Sequence, residues 1–380
     1  MECQKDKFSI DPGHHYLNCA YMSPLLKTVE KAGIEGIASK NNPFRVKSKD
    51  FFDPPTLLKQ SFARLINAAN PERIAIIPSV SYLISTVAQN IALKRKSQIL
   101  LVDQQFPSQV YPWMRLASAT KTTIKVIKAP EAMENRGEEW NKKVLNFITP
   151  RTSVVCLANV HWADGTQFDL TEIRKKTWQV GAKLIIDGTQ SIGALPFDVQ
   201  KIQPDAVACA GYKFLLGPYS IGLGYLGESF DGGVPIEENW INRLDSQQFE
   251  KLVEYQDDYK PLANRYSVGE HSNFILVPML NAAINQLLEW TPEAIQQYCS
   301  KITKKPIEAL LEKGYWIEEN AFRGAHLFGI RLPEHASIEK IQQKLLDLNI
   351  YVSIRGNSIR VSPHVYNTED ELWKLVEILD

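Results

Sequence analysis

Short apolar runs rich in β-branched residues recur through the first half of the chain, separated by stretches with apolar positions three and four apart. The runs at 73–78 (RIAIIP), 97–103 (SQILLVD), 122–128 (TTIKVIK), 152–159 (TSVVCLAN), 182–187 (AKLIID) and 205–210 (DAVACA) predict strands. Such alternation is the pattern of a largely parallel sheet covered by helices. Residues 55–68, with Leu57, Leu58, Phe62 and Leu65 on one face, predict a helix, as do 81–93 and 170–180. From about residue 265 the texture changes to two long helices, 273–290 and 292–313, followed by two strand-helix stretches. This tail reads as a smaller α+β unit. The polar stretch 247–261 and the Arg323-Gly324 turn are candidate joints.

Length agrees with two domains, since 380 residues exceed what one hydrophobic core usually holds. Lys plus Arg balances Asp plus Glu at 43 each, so net charge recruits neither nucleic acid nor an anionic membrane. The five cysteines, Cys3, Cys19, Cys156, Cys209 and Cys299, are scattered without zinc or redox spacing, which favours a reducing compartment. The opening MECQKDKF has no apolar signal stretch, and the charge-free run 74–93 is too polar for hydrocarbon. A cytoplasmic protein is expected.

Candidate chemistry centres on Asp187, at the end of the strand LIID, and Lys213 in AGYKFLLGP. Ligands of open α/β sheets bind beyond the carboxyl ends of strands, so both can reach one crevice. Taken singly, a strand-end carboxylate usually caps a turn and a lysine usually sits on a solvated face. Apolar neighbours around Lys213 change the weighting, because desolvation lowers an amine's pKa and makes it a competent Schiff-base nucleophile. Asp187, followed by the polar turn Gly188-Thr189-Gln190, is placed to keep a bound pyridine nitrogen protonated.

With these residues in view, the chain resembles the pyridoxal-phosphate enzymes of aminotransferase class V, which include cysteine desulfurases, selenocysteine lyases, kynureninases and isopenicillin-N-epimerase-like proteins. The resemblance runs from YLNCAYMSP (16–24) to RVSPHVYNTEDEL (360–372), through PSVSYLIST, QQFPSQVYPW, LANVHWADGT, IIDGTQSIG, AGYKFLLGP and RYSVGEHSN. It implies a fold-type-I α/β enzyme: an N-terminal arm (1–20), a large domain (21–262) with a mostly parallel seven-stranded sheet, and a small C-terminal α+β domain (263–380). It also implies pyridoxal 5'-phosphate as cofactor and an amino-acid-type substrate, reacting through a Schiff base and a Cα carbanion. Lys213 would carry the cofactor and shuttle the Cα proton; Asp187 would pair with the ring nitrogen and Gln190 with the phenolic oxygen. Phe106 would stack on the ring, Asn159 would face cofactor or substrate, and Val80, Ser81 and Tyr212 would hold the phosphate. Arg360 would grip the substrate carboxylate, a task suited to a planar guanidinium. Ser81 also has the chemistry of a helix N-cap.

The segment RYSVGEHSN, which includes Glu270 and His271, implies a homodimer with shared active sites, since the family uses residues of this segment to reach the phosphate of the partner subunit. Glu270 stands where a hydroxyl is common, and Ala210 and Tyr212 replace the usual Ser and His. Desulfurases carry a cysteine on a loop before the matching arginine, whereas Arg355 leads straight to Arg360 without one. Sulfur transfer through the usual mechanism is not expected. Aminotransferase-like activity is favoured, with β-elimination, epimerisation or a catalytically impaired binding protein as rivals. Two weaker signals are set aside. The glycines Gly222, Gly224 and Gly227 spell a dinucleotide fingerprint but precede no helix, and the histidines show no metal spacing. His161 and Trp162 are read as pocket lining or plain core.

Overall fold

The strand-helix alternation closes into a covered sheet in the computed structural model, which describes residues 1–333 and 336–379. The apolar runs form β1 (Ile74–Ile77), β2 (Gln98–Val102), β3 (Thr123–Ile127), β4 (Thr152–Ala158), β5 (Lys183–Asp187) and β6 (Ala206–Ala210). A seventh strand, β7 (Gly222–Leu226), completes the sheet, whose order is β1-β7-β6-β5-β4-β2-β3. β7 runs antiparallel to both neighbours, and the remaining pairs are parallel.

The continuous apolar reading of the inner strands follows from cover on both faces. Every residue of β1, β4 and β6 is buried. Leu100 and Val102 face one core while Ile99 and Leu101 face the other, the alternation a pleated strand imposes. β3 lies at the edge, and its Lys125 and Val126 are exposed. The glycines of β7 are there for packing: a Cβ on Gly222 would stand 2.5 Å from the Cys209 carbonyl oxygen, and one on Gly224 would meet Leu83 equally closely. A single 3-10 turn, Glu228–Phe230, follows them, so the fingerprint's helix is absent there.

Because β7 alone is reversed, the carboxyl ends of β1, β2, β4, β5 and β6 gather at one sheet edge. After β1 the chain enters helix Val80–Gln89. Its cap corrects the sequence expectation: Ser79, not Ser81, accepts the Tyr82 amide at 3.2 Å. The helix thus starts at Val80 rather than 81 and ends at Gln89 rather than 93.

A second, three-stranded antiparallel sheet has the order β9 (Ser353–Arg355), β10 (Ser358–Val361), β8 (Phe328–Arg331). Helix Leu276–Trp290 packs on helices Lys27–Ser39 and Asp53–Leu65. The beginning of the chain is tied to its end. His15 and Tyr16 pair with Ile350 and Tyr351, and the Ala20 amide donates to Ser362 Oγ at 2.9 Å. Among the described residues no helix is long and apolar enough to cross a membrane.

Candidate active site

At the gathered strand ends lies a cavity of about 360 Å³, within the range of small-molecule sites. Seven residues singled out in the sequence line it: Val80, Ser81, Phe106, Asp187, Gln190, Tyr212 and Lys213. A larger open groove, about 830 Å³, lies elsewhere, and its wall includes Asn159.

Lys213 reaches the cavity because β6 stops at Ala210 and the chain turns at Gly211 beneath Ile221. The Gly211 amide donates to the Ile221 carbonyl at 2.9 Å, where a side chain would collide with that oxygen. Phe214, Leu215 and Leu216 then anchor the loop in the core. Lys213 itself is only 7% exposed and has no hydrogen-bond or ion-pair partner among the described residues. Burial pulls its ammonium down to about 8; Arg360 and Arg355 add to the effect, and Asp187 opposes it. Its Nζ stands 5.5 Å from the Phe106 ring centre and 5.6 Å from that of Tyr212.

Asp187 ends β5 inside the same cavity, also 7% exposed. Burial raises its carboxyl, while hydrogen bonds from Thr189 and the charge of Lys213 hold it back. The Thr189 amide donates to Asp187 Oδ1 at 2.8 Å, and Thr189 Oγ1 accepts the Ala210 amide at 3.1 Å. Thr189 thereby clamps the acid's turn to the strand leading to the lysine. The sequence places Thr189 in the polar turn after Asp187, and its position two residues beyond a strand-end aspartate is the Asx-turn signal for this clamp.

Gln190 donates from Nε2 to the Ala20 carbonyl at 3.2 Å, and its Oε1 is buried without a partner. His326 Nε2 donates to the Gln190 carbonyl at 2.7 Å. Burial lowers that imidazole to about 4, so the ring is neutral and fixes the loop as a dipole. Phe106 is 37% exposed, so it belongs to the cavity wall and not to the core. Its ring meets Trp162 edge-on at 5.5 Å. Trp162 and His161 both line the cavity, as do Tyr219 and Ser220, for which the sequence offered no signal.

Arg360 and Asn159 are not among the lining residues. Arg360 is 1% exposed behind Trp162, donating to the Trp162 carbonyl at 2.8 Å and to Ser353 Oγ at 3.2 Å. His271 is buried, with Nδ1 donating to the Val268 carbonyl at 3.1 Å, and Glu270 is exposed.

The pattern of the aminotransferase class-V family matches residues 48–375. The chain belongs to that family. This class-V chain is 25% identical to an uncharacterised aminotransferase, YcbU, of Bacillus subtilis, over 87% of its length and 84% of the relative's. It is 24% identical to isopenicillin N epimerase of Amycolatopsis lactamdurans, covering 99% and 96%. Its fold is shared with the cysteine desulfurase CsdA of Escherichia coli, at a TM-score of 0.82 and 17% identity over 99% and 96% of the two chains.

Class-V enzymes are pyridoxal-phosphate-dependent transferases and lyases, and pyridoxal phosphate is the cofactor of this one. The residues present fit it. A buried amine with no partner among the described residues, a buried acid, Gln190 with its orphaned amide oxygen, and Val80 and Ser81 at the start of helix Val80–Gln89 all line one cavity. Backbone N–H groups at a helix start bind phosphate.

Proposed function

We propose that this class-V enzyme processes a small amino acid by aminotransferase-like chemistry, with Lys213 as the catalytic base and cofactor anchor. When bound, pyridoxal phosphate supplies a carbonyl for amine capture and a ring that accepts electron density from the substrate's Cα. Lys213, neutral above about pH 8, takes the Cα proton and returns it. Asp187 keeps a proton on the ring nitrogen; Gln190 and Tyr212 orient the ring's oxygen and phosphate, Val80 and Ser81 hold the phosphate with their amides, and Phe106 covers one face. Arg360, behind Trp162, acts on the substrate's carboxylate.

The carrying observation is the buried, unpartnered Lys213 sharing one cavity with buried Asp187. With one free amine on that wall, proton removal and return fall to the same group, which favours transamination over epimerisation. Among the described residues, no mobile, exposed thiolate of the kind persulfide chemistry requires stands on the hairpin before Arg360. The β9–β10 hairpin turns through Gly356 and Asn357 alone. Cys19, Cys156, Cys209 and Cys299 are buried, and burial raises all four thiols.

Borohydride reduction of the cofactor-loaded protein is expected to fix the cofactor covalently to wild type and to leave Lys213→Ala unlabelled. Amino acids are expected to shift the visible spectrum and to turn over only with a 2-oxo acid acceptor. Release of pyruvate or alanine without an acceptor assigns the lyase reaction instead. The reading includes a homodimer with shared sites, supported by the exposed apolar residues Leu244, Phe249, Leu252, Val253 and Tyr255. Sedimentation at the monomer mass overturns that part.

A further inference from the structure

Two arginines stand behind the cavity, and neither is paired with a carboxylate among the described residues. In the β9–β10 hairpin Ser353 lies opposite Arg360 and Arg355 opposite Ser358. Side chains two apart on a strand share a face, so Arg355 and Arg360 project from the same side of the small sheet as diagonal neighbours. Such neighbours are rooted roughly 7–8 Å apart.

Both flank the same wall residue. Arg360 Nη1 donates to the Trp162 carbonyl, and the Arg355 guanidinium lies 5.3 Å from the Trp162 ring centre. Trp162 lines the cavity and meets Phe106, whose ring faces Lys213. The donors of these guanidiniums are poorly used. The Nε atoms of Arg355 and Arg360 are both buried without partners, and Arg355 donates only to the adjoining Ile354 carbonyl at 2.8 Å. A guanidinium out of water is usually paired, because an uncompensated buried charge is costly, and Arg360 at 1% exposure is such a case. Lys213 feels the positive charge of both arginines, and no ion pair among the described residues offsets either of them.

We infer that the substrate is an amino acid carrying a second acidic group on its side chain, with Arg360 receiving the α-carboxylate and Arg355 the distal one. The inference rests on the amino-acid reading above and adds the substrate class. Two forks on one face bind two carboxylates and discriminate against amides, which offer Arg355 no opposite charge and no second acceptor oxygen.

The test uses the cofactor-loaded protein and two substrate-like acids, glutarate and butyrate, with binding followed by Trp fluorescence and calorimetry. Glutarate is expected to bind at least tenfold tighter than butyrate, and Arg355→Gln to erase the difference while leaving butyrate binding unchanged. Arg355→Lys is expected to restore part of it. In turnover, glutamate or aspartate is expected to exceed glutamine and asparagine in kcat/KM, with Arg355→Gln acting on KM. Equal binding of the two acids, or equal loss of both in Arg355→Gln, overturns the inference even where neutral amino acids react normally. If no amino acid alters the cofactor's spectrum, the amino-acid reading itself falls, and this inference with it. Arg355 is half-buried beside a turn, so thermal melts matching wild type are expected and separate folding from recognition.

Discussion

Arg136 and Lys213 are both buried cations, yet their surroundings are built in opposite ways. Arg136 donates to Thr166 Oγ1 at 2.9 Å, Glu318 at 3.3 Å and Asp164 at 2.8 Å, and Glu318 also accepts the Gly137 amide. Its guanidinium further lies 5.0 Å from the Trp140 ring centre. Among the described residues Lys213 has neither a hydrogen bond nor an ion pair, and the charges of Arg355 and Arg360 add to the effect of burial. Completed charge networks hold a fold together; incomplete ones face a cavity and await a ligand. The contrast separates structural from functional polarity without reference to the identity of the residues.

The largest expected effect lies on the completed side. Arg136→Met takes the cation from buried Glu318 and partly buried Asp164 and is expected to cost about 3–5 kcal/mol in denaturant unfolding. A cost below about 1 kcal/mol removes the distinction drawn here. The opposite sign is expected for Lys213→Met in cofactor-free protein. The step from 10.5 to about 8 corresponds to about 3 kcal/mol of strain at neutral pH. Between those pH values the unfolded chain holds a proton that the folded chain lacks, so wild-type stability rises with pH across this window. Relative to wild type, Lys213→Met is expected to be more stable at pH 7, with the gap closing by pH 10.5. A constant gap sinks the account.

Asp187→Asn is expected to lower kcat by roughly 10²–10³ while leaving the melting temperature within a few degrees, because the Thr189 amide keeps an acceptor. A purely structural acid reverses that order. Smallest of all, Phe106→Leu is expected to weaken cofactor retention by about 0.5–1.5 kcal/mol, read by dialysis, with no change in stability, since the ring is already partly exposed.

Local pattern made much of this legible. The six strands read from apolar runs are present because burial on both faces demands such runs, and helix Leu170–Val180 begins and ends where its spacing does. β7 was readable only as strand-like, since its glycines, which satisfy neighbours in β6 and in helix Val80–Gln89, look like a loop. The pairing of Asp187 with Lys213 was visible because both follow adjacent parallel strands. Trp162 as the partner of Arg355 and Arg360 was not: Arg360 and Trp162 lie 198 residues apart, joined only when the small sheet docks. Asn159 misled for a related reason. It follows β4 at the right height, but its position after the strand turns it to the neighbouring groove.

The stitching of Ala20 to Ser362 has a consequence for biogenesis. Gln190 leans on the Ala20 carbonyl, and Ala20 in turn leans on a residue 342 positions away. On the ribosome, the lysine loop and its sheet emerge long before that clasp can close. A nascent chain halted near residue 350 therefore holds every strand of the large sheet and still lacks the Ser362 hydroxyl that fastens Ala20.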